Sequence, residues 1–365
     1  MCDFIDYKQH LGENLKRLYF EDKRYESLRE LIKKQCQDKI DGLIFAVRKN
    51  EIHIYYRGGR LLKITDMANG TALKIYTDPK YAGDENNPKN EIAKLNTLDT
   101  SISENISIWY DKLEILKKYV ADYYSLHGNK ERLLQHKLEL NNRDFNGEVI
   151  IIDNEYGVRK LAAKLTHLDR SNKETFGKFT ETELEILSKH NPPLTEETVL
   201  AMTDDELARL KLEYKLCKVD LVALFKGDDG KYKICLTELK KGYGATGGKA
   251  GIKDHIQDFK IFTKSRKGDI VQSVKNLLAY KTSAEIGTIA NYPAGGIELD
   301  EENIYISILC YDLETQRQIN STAEKIKQAL DGEDESISSY FYYNLSIKES
   351  ENYILRKKDL LKNKN

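Results

Sequence analysis

The sequence predicts an α/β protein in two parts, a smaller N-terminal α+β module with an antiparallel meander and a larger C-terminal α/β domain. Three observations carry this. The hydrophobic period switches from helical to alternating near Gly42. Short turn signals then punctuate the alternating runs as far as residue 77. Beyond residue 147, apolar strands alternate with helical stretches. A length of 365 residues has room for two or three domains and a sizeable core. The composition divides it into a module at 1–100, a helical connector at 101–146 and a domain at 147–365.

Tyr25, Leu28, Leu31, Ile32 and Cys36 recur at three- and four-residue steps and predict a helix. Residues 43–48 and 51–56 flank Lys49-Asn50 as a hairpin. Gly58-Gly59 separates the second strand from 60–65, a two-residue turn in which both positions tolerate positive φ. Ala68-Asn69-Gly70 leads to a fourth strand at 71–77. Residues 78–100 are polar and turn-rich, as in a loop or linker. Ser101 with Glu104 has the spacing of a capping box. It opens a helix striped by Ile106, Trp109, Leu113, Leu116, Val120 and Tyr123, which stops near Gly128, and a second helix is expected at 130–140. Two more boxes, Thr180/Glu183 and Thr203/Glu206, flank Asn191-Pro192-Pro193.

Composition narrows the function classes. No apolar run is long enough for a membrane span, and the first residues lack a signal-peptide pattern, so a soluble cytoplasmic protein is expected. Five scattered cysteines without a C-x-x-C pair argue against a disulfide framework or a cysteine-rich zinc site. The 58 basic and 59 acidic residues nearly cancel. Yet Lys211 to Lys267 holds 14 basic residues against 7 acidic ones, a footprint suited to a polyanion.

The chemistry gathers in that basic stretch. Residues 218–226 read as a buried strand, Gly227-Asp228-Asp229-Gly230 as a turn and 231–239 as the returning strand. Asp220, near the start of the first, then lies beside Glu238-Leu239-Lys240 at the end of the second. Glu238 and Lys240, two apart, share a face. Two carboxylates there can hold Mg²⁺ or Mn²⁺ through oxygen, leaving waters for a substrate phosphate. A lysine beside them orients or deprotonates the attacking water, or neutralises charge in the transition state. Other D/E-x-K spacings occur at Asp78-Pro79-Lys80, Glu21-Asp22-Lys23 and Asp258-Phe259-Lys260. These fall at a proline, in polar sequence and inside an expected helix.

Asp220, Glu238 and Lys240, set in this strand order, resemble the PD-(D/E)XK nuclease superfamily of restriction-endonuclease-like and RecB-like type, over roughly residues 147–312. The resemblance implies a mixed sheet flanked by helices, with Asp220 and Glu238 as metal ligands and Lys240 as the catalytic lysine. Val219 stands where the superfamily's name shows proline. Gln257, on a helix expected at about 249–264, resembles a glutamine many members carry there, although Ile261 replaces their usual tyrosine. Members often add an upstream acid, usually from a helix. Here the candidates are Asp153 and Glu155, at the end of an apolar strand beginning at Gly147.

Around this core, Lys241 to Gly248 form a glycine-rich loop able to approach a phosphate backbone, and the absence of G-K-[ST] excludes a Walker A loop. Lys241, Lys249 and Lys253 are the expected nucleic-acid contacts. His255 reads as a surface or structural histidine. Residues 303–310 read as a central strand, 314–330 as a helix and 339–346 as an aromatic strand in which Tyr340 to Tyr343 serve packing. The expectation is a Mg²⁺- or Mn²⁺-dependent phosphodiester hydrolase acting on DNA rather than RNA, an endodeoxyribonuclease of the kind used in bacterial defence, restriction or repair. The rival expectation is a nuclease fold that has lost activity and serves as a nucleic-acid-binding or scaffold module. The N-terminal module is left for recognition or regulation, as the seat of a second copy or a partner protein.

Overall fold

The computed structural model describes residues 11–48, 50–81, 88–128, 130–159, 184, 187–190, 192–203, 206, 216–247, 251–252, 255–256, 259, 263, 267–282, 288–331, 340–348 and 353–364. The helical spacing near the N-terminus forms α1 (Glu26–Gln37), which buries Leu28, Ile32 and Cys36. The alternating runs form β1 (Ile44–Val47), β2 (Ile52–Tyr56), β3 (Gly59–Asp66) and β4 (Leu73–Tyr76), paired in sequence order as an antiparallel meander. The β2–β3 turn sits one residue earlier than its glycines suggest. Tyr56 pairs with Gly59, so Arg57 and Gly58 form the loop, with φ of 48° and 79°. Gly59 has a different role, because a Cβ there would lie 2.4 Å from the Tyr124 ring and 2.6 Å from a Val120 methyl.

Both of those residues belong to α2 (Ser103–His127), whose Ile106, Trp109, Leu113, Leu116 and Val120 join the core of the meander. The first connector helix is therefore part of the N-terminal module. Its expected capping box does not form. Ser101 turns back to Asp99, giving Oδ1 both its N–H (2.9 Å) and its hydroxyl (2.7 Å), and the N-cap position falls on Ile102. The expected 78–100 loop also holds a helix, Pro88–Asn96. Proline suits a first helical turn, and Ile92 and Leu95 are buried one turn apart.

The second connector helix, α3 (Lys130–Asn141), sends Leu134 and Leu138 into the C-terminal core instead. That core surrounds a six-stranded mixed sheet, ordered β10-β9-β8-β7-β6-β5. Its strands are β5 (Val149–Arg159), β6 (Leu216–Lys226), β7 (Tyr232–Lys241), β8 (Leu299–Tyr311), β9 (Phe341–Ile347) and a two-residue edge, β10 (Asn363–Lys364). β5, β6 and β7 run antiparallel, and β7, β8 and β9 run parallel. Parallel neighbours need long crossovers. These contain α4 (Lys267–Thr282), which the sequence reading did not foresee, and α5 (Gln316–Leu330), capped by the reciprocal bonds of Thr315 and Gln318. Ile252, Ile256 and Phe259, the stripe expected before α4, are buried with them on one face of the sheet. The other face is covered by α3 and by Leu355 and Leu360. Tyr340 and Tyr342 pack on Tyr305 with centroids 5.1 and 6.1 Å away.

The two parts meet through a buried polar junction. Arg48, just beyond β1, pairs with Asp153 of β5 at 2.8 Å. Lys281 of α4 pairs with Glu139 of α3 at 2.6 Å, and Glu139 also accepts from Asn154 at 2.7 Å. Ile44, Ala46 and Tyr55 pack on Leu140 beside them. Among the described residues, no helix is long and apolar enough to cross a membrane.

Candidate active site

The β6–β7 hairpin forms with Leu221 opposite Thr237, which brings Asp220 level with the next residue, Glu238. The neighbouring backbone fixes the aspartate, since Leu239 N–H donates to Asp220 Oδ2 at 2.7 Å. Glu238 and Lys240 follow Ile234 and Leu236 in the two-residue alternation of β7. Lys240 Nζ donates to Glu238 Oε1 at 2.6 Å, and both side chains are almost wholly buried.

Two upstream groups complete the cluster, and both ride on α3. Gln135 Nε2 donates to Asp220 Oδ1 at 2.6 Å. Glu131, one turn earlier, lies close enough for its charge to act on both Asp220 and Lys240. From the opposite side, His255 Nε2 stands 3.0 Å from Glu238 Oε1. The second glutamate oxygen, Oε2, is buried and has no hydrogen-bond partner.

Burial, and then the charges of Glu238 and Glu131, hold the Asp220 carboxyl well above the usual carboxylate range, against the Leu239 N–H and the Lys240 ammonium. Burial likewise raises Glu131, with Lys240 opposing and Glu238 adding to the rise. Burial alone would lower Lys240, but the Glu238 charge and hydrogen bond, with Asp220 and Glu131 behind them, reverse its effect and raise the pKa. Crowded acids thus resist ionising while the lysine stays charged.

The sequence-derived candidates separate into three groups. Asp220, Glu238 and Lys240 come together. Asp153 does not join them, because its fully buried carboxylate is committed to Arg48. That is the correction to its reading as a metal ligand: Asp153 lies within β5 and not at its end, and Arg48 from the other module fills the space beside it. Glu155 is better placed. It lies between the pairs Asn154–Leu221 and Tyr156–Val219, level with Asp220, although its side chain is outside the described residues. Lys241 ends β7 beside the cluster, whereas Lys249, Lys253 and Gln257 fall outside the described residues, as does the Thr180/Glu183 box. Of the rival spacings, Asp78 accepts from Lys80 N–H in a local turn, and Asp258 and Lys260 fall outside the described residues.

Sequence reasoning missed Glu131 and Gln135 and left His255 as a surface or structural residue. A signal for the first two existed, since residues four apart share a helix face and this helix directly precedes β5. Nothing local showed which face would meet the hairpin.

Among the described residues, no three His, Cys, Asp or Glu side chains stand ready-grouped to hold a metal ion. The donor chemistry nevertheless fits a hard cation. Glu238 Oε2 is an orphaned buried oxygen, and such atoms call for a hydrogen or a cation. Asp220 beside it is only partly buried. All-oxygen donors suit Mg²⁺ or Mn²⁺ better than a soft metal. In comparisons of the whole chain, no family model, no curated protein and no solved structure matches it.

Proposed function

We propose that the protein is a metal-dependent nuclease that hydrolyses phosphodiester bonds, with DNA as the favoured substrate. The observation that carries this reading is the buried, unpartnered Oε2 of Glu238, set beside Asp220 and an ion-paired Lys240. Asp220 and Glu238 would hold Mg²⁺ or Mn²⁺, with Glu131 as a further oxygen donor from α3. Bound there, the ion would supply Lewis-acid polarisation of the phosphate and a more acidic water. Asp220 is oriented by two donors, Leu239 N–H and Gln135 Nε2. Lys240, its pKa raised, is an ammonium at neutral pH, which favours neutralising transition-state charge over abstracting a proton. The basic residues between Lys211 and Lys267 would attract the polyanion.

One observation favours a second reading, an inactive nuclease fold that binds nucleic acid without cutting it. Glu238 is already neutralised by Lys240 at 2.6 Å and faces His255 at 3.0 Å. A cleavage panel over double- and single-stranded DNA and RNA, run with Mg²⁺, with Mn²⁺ and with EDTA, separates the two. Metal-dependent products support the nuclease. Binding without products under every condition supports the inactive fold.

A further inference from the structure

Immediately after Lys240 the chain leaves the sheet over a ledge that the catalytic reading does not use. Gly242 N–H donates to Tyr311 O at 2.9 Å, tying the exit of β7 to the end of β8. Tyr243–Thr246 then form a single helical turn. That turn rests on α5, where Tyr243 OH meets Ser321 Oγ at 2.9 Å and Lys325 Nζ bonds Thr246 Oγ1 at 3.1 Å. The same ammonium lies over the Tyr243 ring, 4.6 Å from its centroid. Arg317, Ser321 and Lys325 are spaced four apart and so line one stripe of α5.

Two features make the ledge more than packing. Tyr243 is an exposed aromatic side chain, 38% accessible. Its phenol is shifted down by the Ser321 hydrogen bond, then by the charges of Lys325 and Arg317, which marks a positive field around an open ring. An accessible π-face flanked by cations on a fixed stripe is the combination that single-stranded nucleic acids use, with bases stacking and phosphates meeting the charges. Its place at the carboxyl end of a parallel strand, where open α/β sheets receive ligands, puts it next to Glu238 and Lys240.

We infer that Tyr243, Arg317 and Lys325 form a subsite for a single-stranded nucleic-acid segment, with one base stacked on Tyr243 and the adjoining phosphates held by Arg317 and Lys325. This rests on the nuclease reading for its choice of ligand but not on catalysis. The subsite feeds the strand toward Lys240, three residues away in sequence.

The test is binding of a fluorescent dT oligonucleotide to the full chain in EDTA, with cleavage in Mn²⁺ measured alongside. Tyr243→Leu is expected to weaken binding about tenfold, in line with the loss of one base stack, while Tyr243→Phe stays within about twofold. Arg317→Ala is expected to reduce the slope of log affinity against log salt by about 0.7, the single-strand value for one phosphate. Wild-type affinity in Tyr243→Leu, or no binding by the wild type, overturns the subsite. If the oligonucleotide binds with the expected Tyr243 dependence but is not cut, the subsite stands and the nuclease reading fails. If cutting persists and Tyr243→Leu binds normally, the nuclease reading stands and the subsite fails.

Discussion

Gln135 on α3 donates a 2.6 Å hydrogen bond to Asp220 within β6, across 85 positions of sequence. The helix thereby orients the carboxylate whose other oxygen is already held by Leu239 N–H. On the same helix His136 Nε2 lies 3.3 Å from Arg57 N and 3.1 Å from Gly42 O, within hydrogen-bonding reach of one or the other, so α3 touches the site and the N-terminal module at neighbouring residues.

Gln135→Ala is expected to loosen Asp220 without removing a ligand. Loss of one hydrogen bond to the Asp220 carboxyl, which water can partly replace, should cost about 1 kcal/mol of stability. Cleavage should slow by roughly tenfold through misorientation. Calorimetry and single-turnover rates check both, and wild-type values in the variant would show that the contact does not position Asp220.

Asp220→Asn tests the crowding of acids through pH. The folded-state pKa of Asp220 is raised, so its contribution to stability is present at acid pH and is lost as pH rises through that pKa. The variant has no such group to ionise. The difference in melting temperature, variant minus wild type, should therefore grow with pH in metal-free buffer. A flat difference would mean that Asp220 titrates as it does in the unfolded chain.

Mg²⁺ should raise the melting temperature of the wild type and scarcely change that of Asp220→Asn or Glu238→Gln. At ten times the dissociation constant the stabilisation is about 1.4 kcal/mol. Glu131→Gln should blunt the shift if the third oxygen comes from α3, and Glu155→Gln should do so if it comes from β5. Equal shifts in all five proteins would remove the shared cation from this site.

Arg48→Met should destabilise the chain by about 3–5 kcal/mol near neutral pH, because it leaves Asp153 buried without its cation. Burial already raises the Asp153 pKa. The loss should shrink toward acid pH, where the carboxyl is neutral, and chemical denaturation at two pH values reads it. A deficit independent of pH would point to lost packing rather than to the ion pair.

What could be read from the sequence follows the range of the forces. The meander and the β6–β7 hairpin depend on alternation and short turns, so β1–β4 and the juxtaposition of Asp220 with Glu238 and Lys240 were legible. The Ser101 cap was not, because Asp99 competes for the same hydroxyl two residues away. The helix at Pro88–Asn96 hid in polar sequence because, among its described residues, Ile92 and Leu95 are the buried apolar ones. Asp153 pointed to a metal because nothing near it in sequence announced Arg48. Gln135, Glu131 and His255 reach the hairpin only through tertiary packing, which a local pattern does not encode.

The most direct measurement is the rate of Mn²⁺-dependent cleavage of plasmid and single-stranded DNA by the wild type and by Lys240→Ala, with oligonucleotide binding measured on the same samples. The expected result is cutting by the wild type that EDTA abolishes. Lys240→Ala should cut at least roughly 10²-fold more slowly and bind almost as well, since one ammonium matters far more to the transition state than to a multi-phosphate contact. Undiminished cutting by Lys240→Ala, or no metal-dependent cutting by the wild type, would contradict the account.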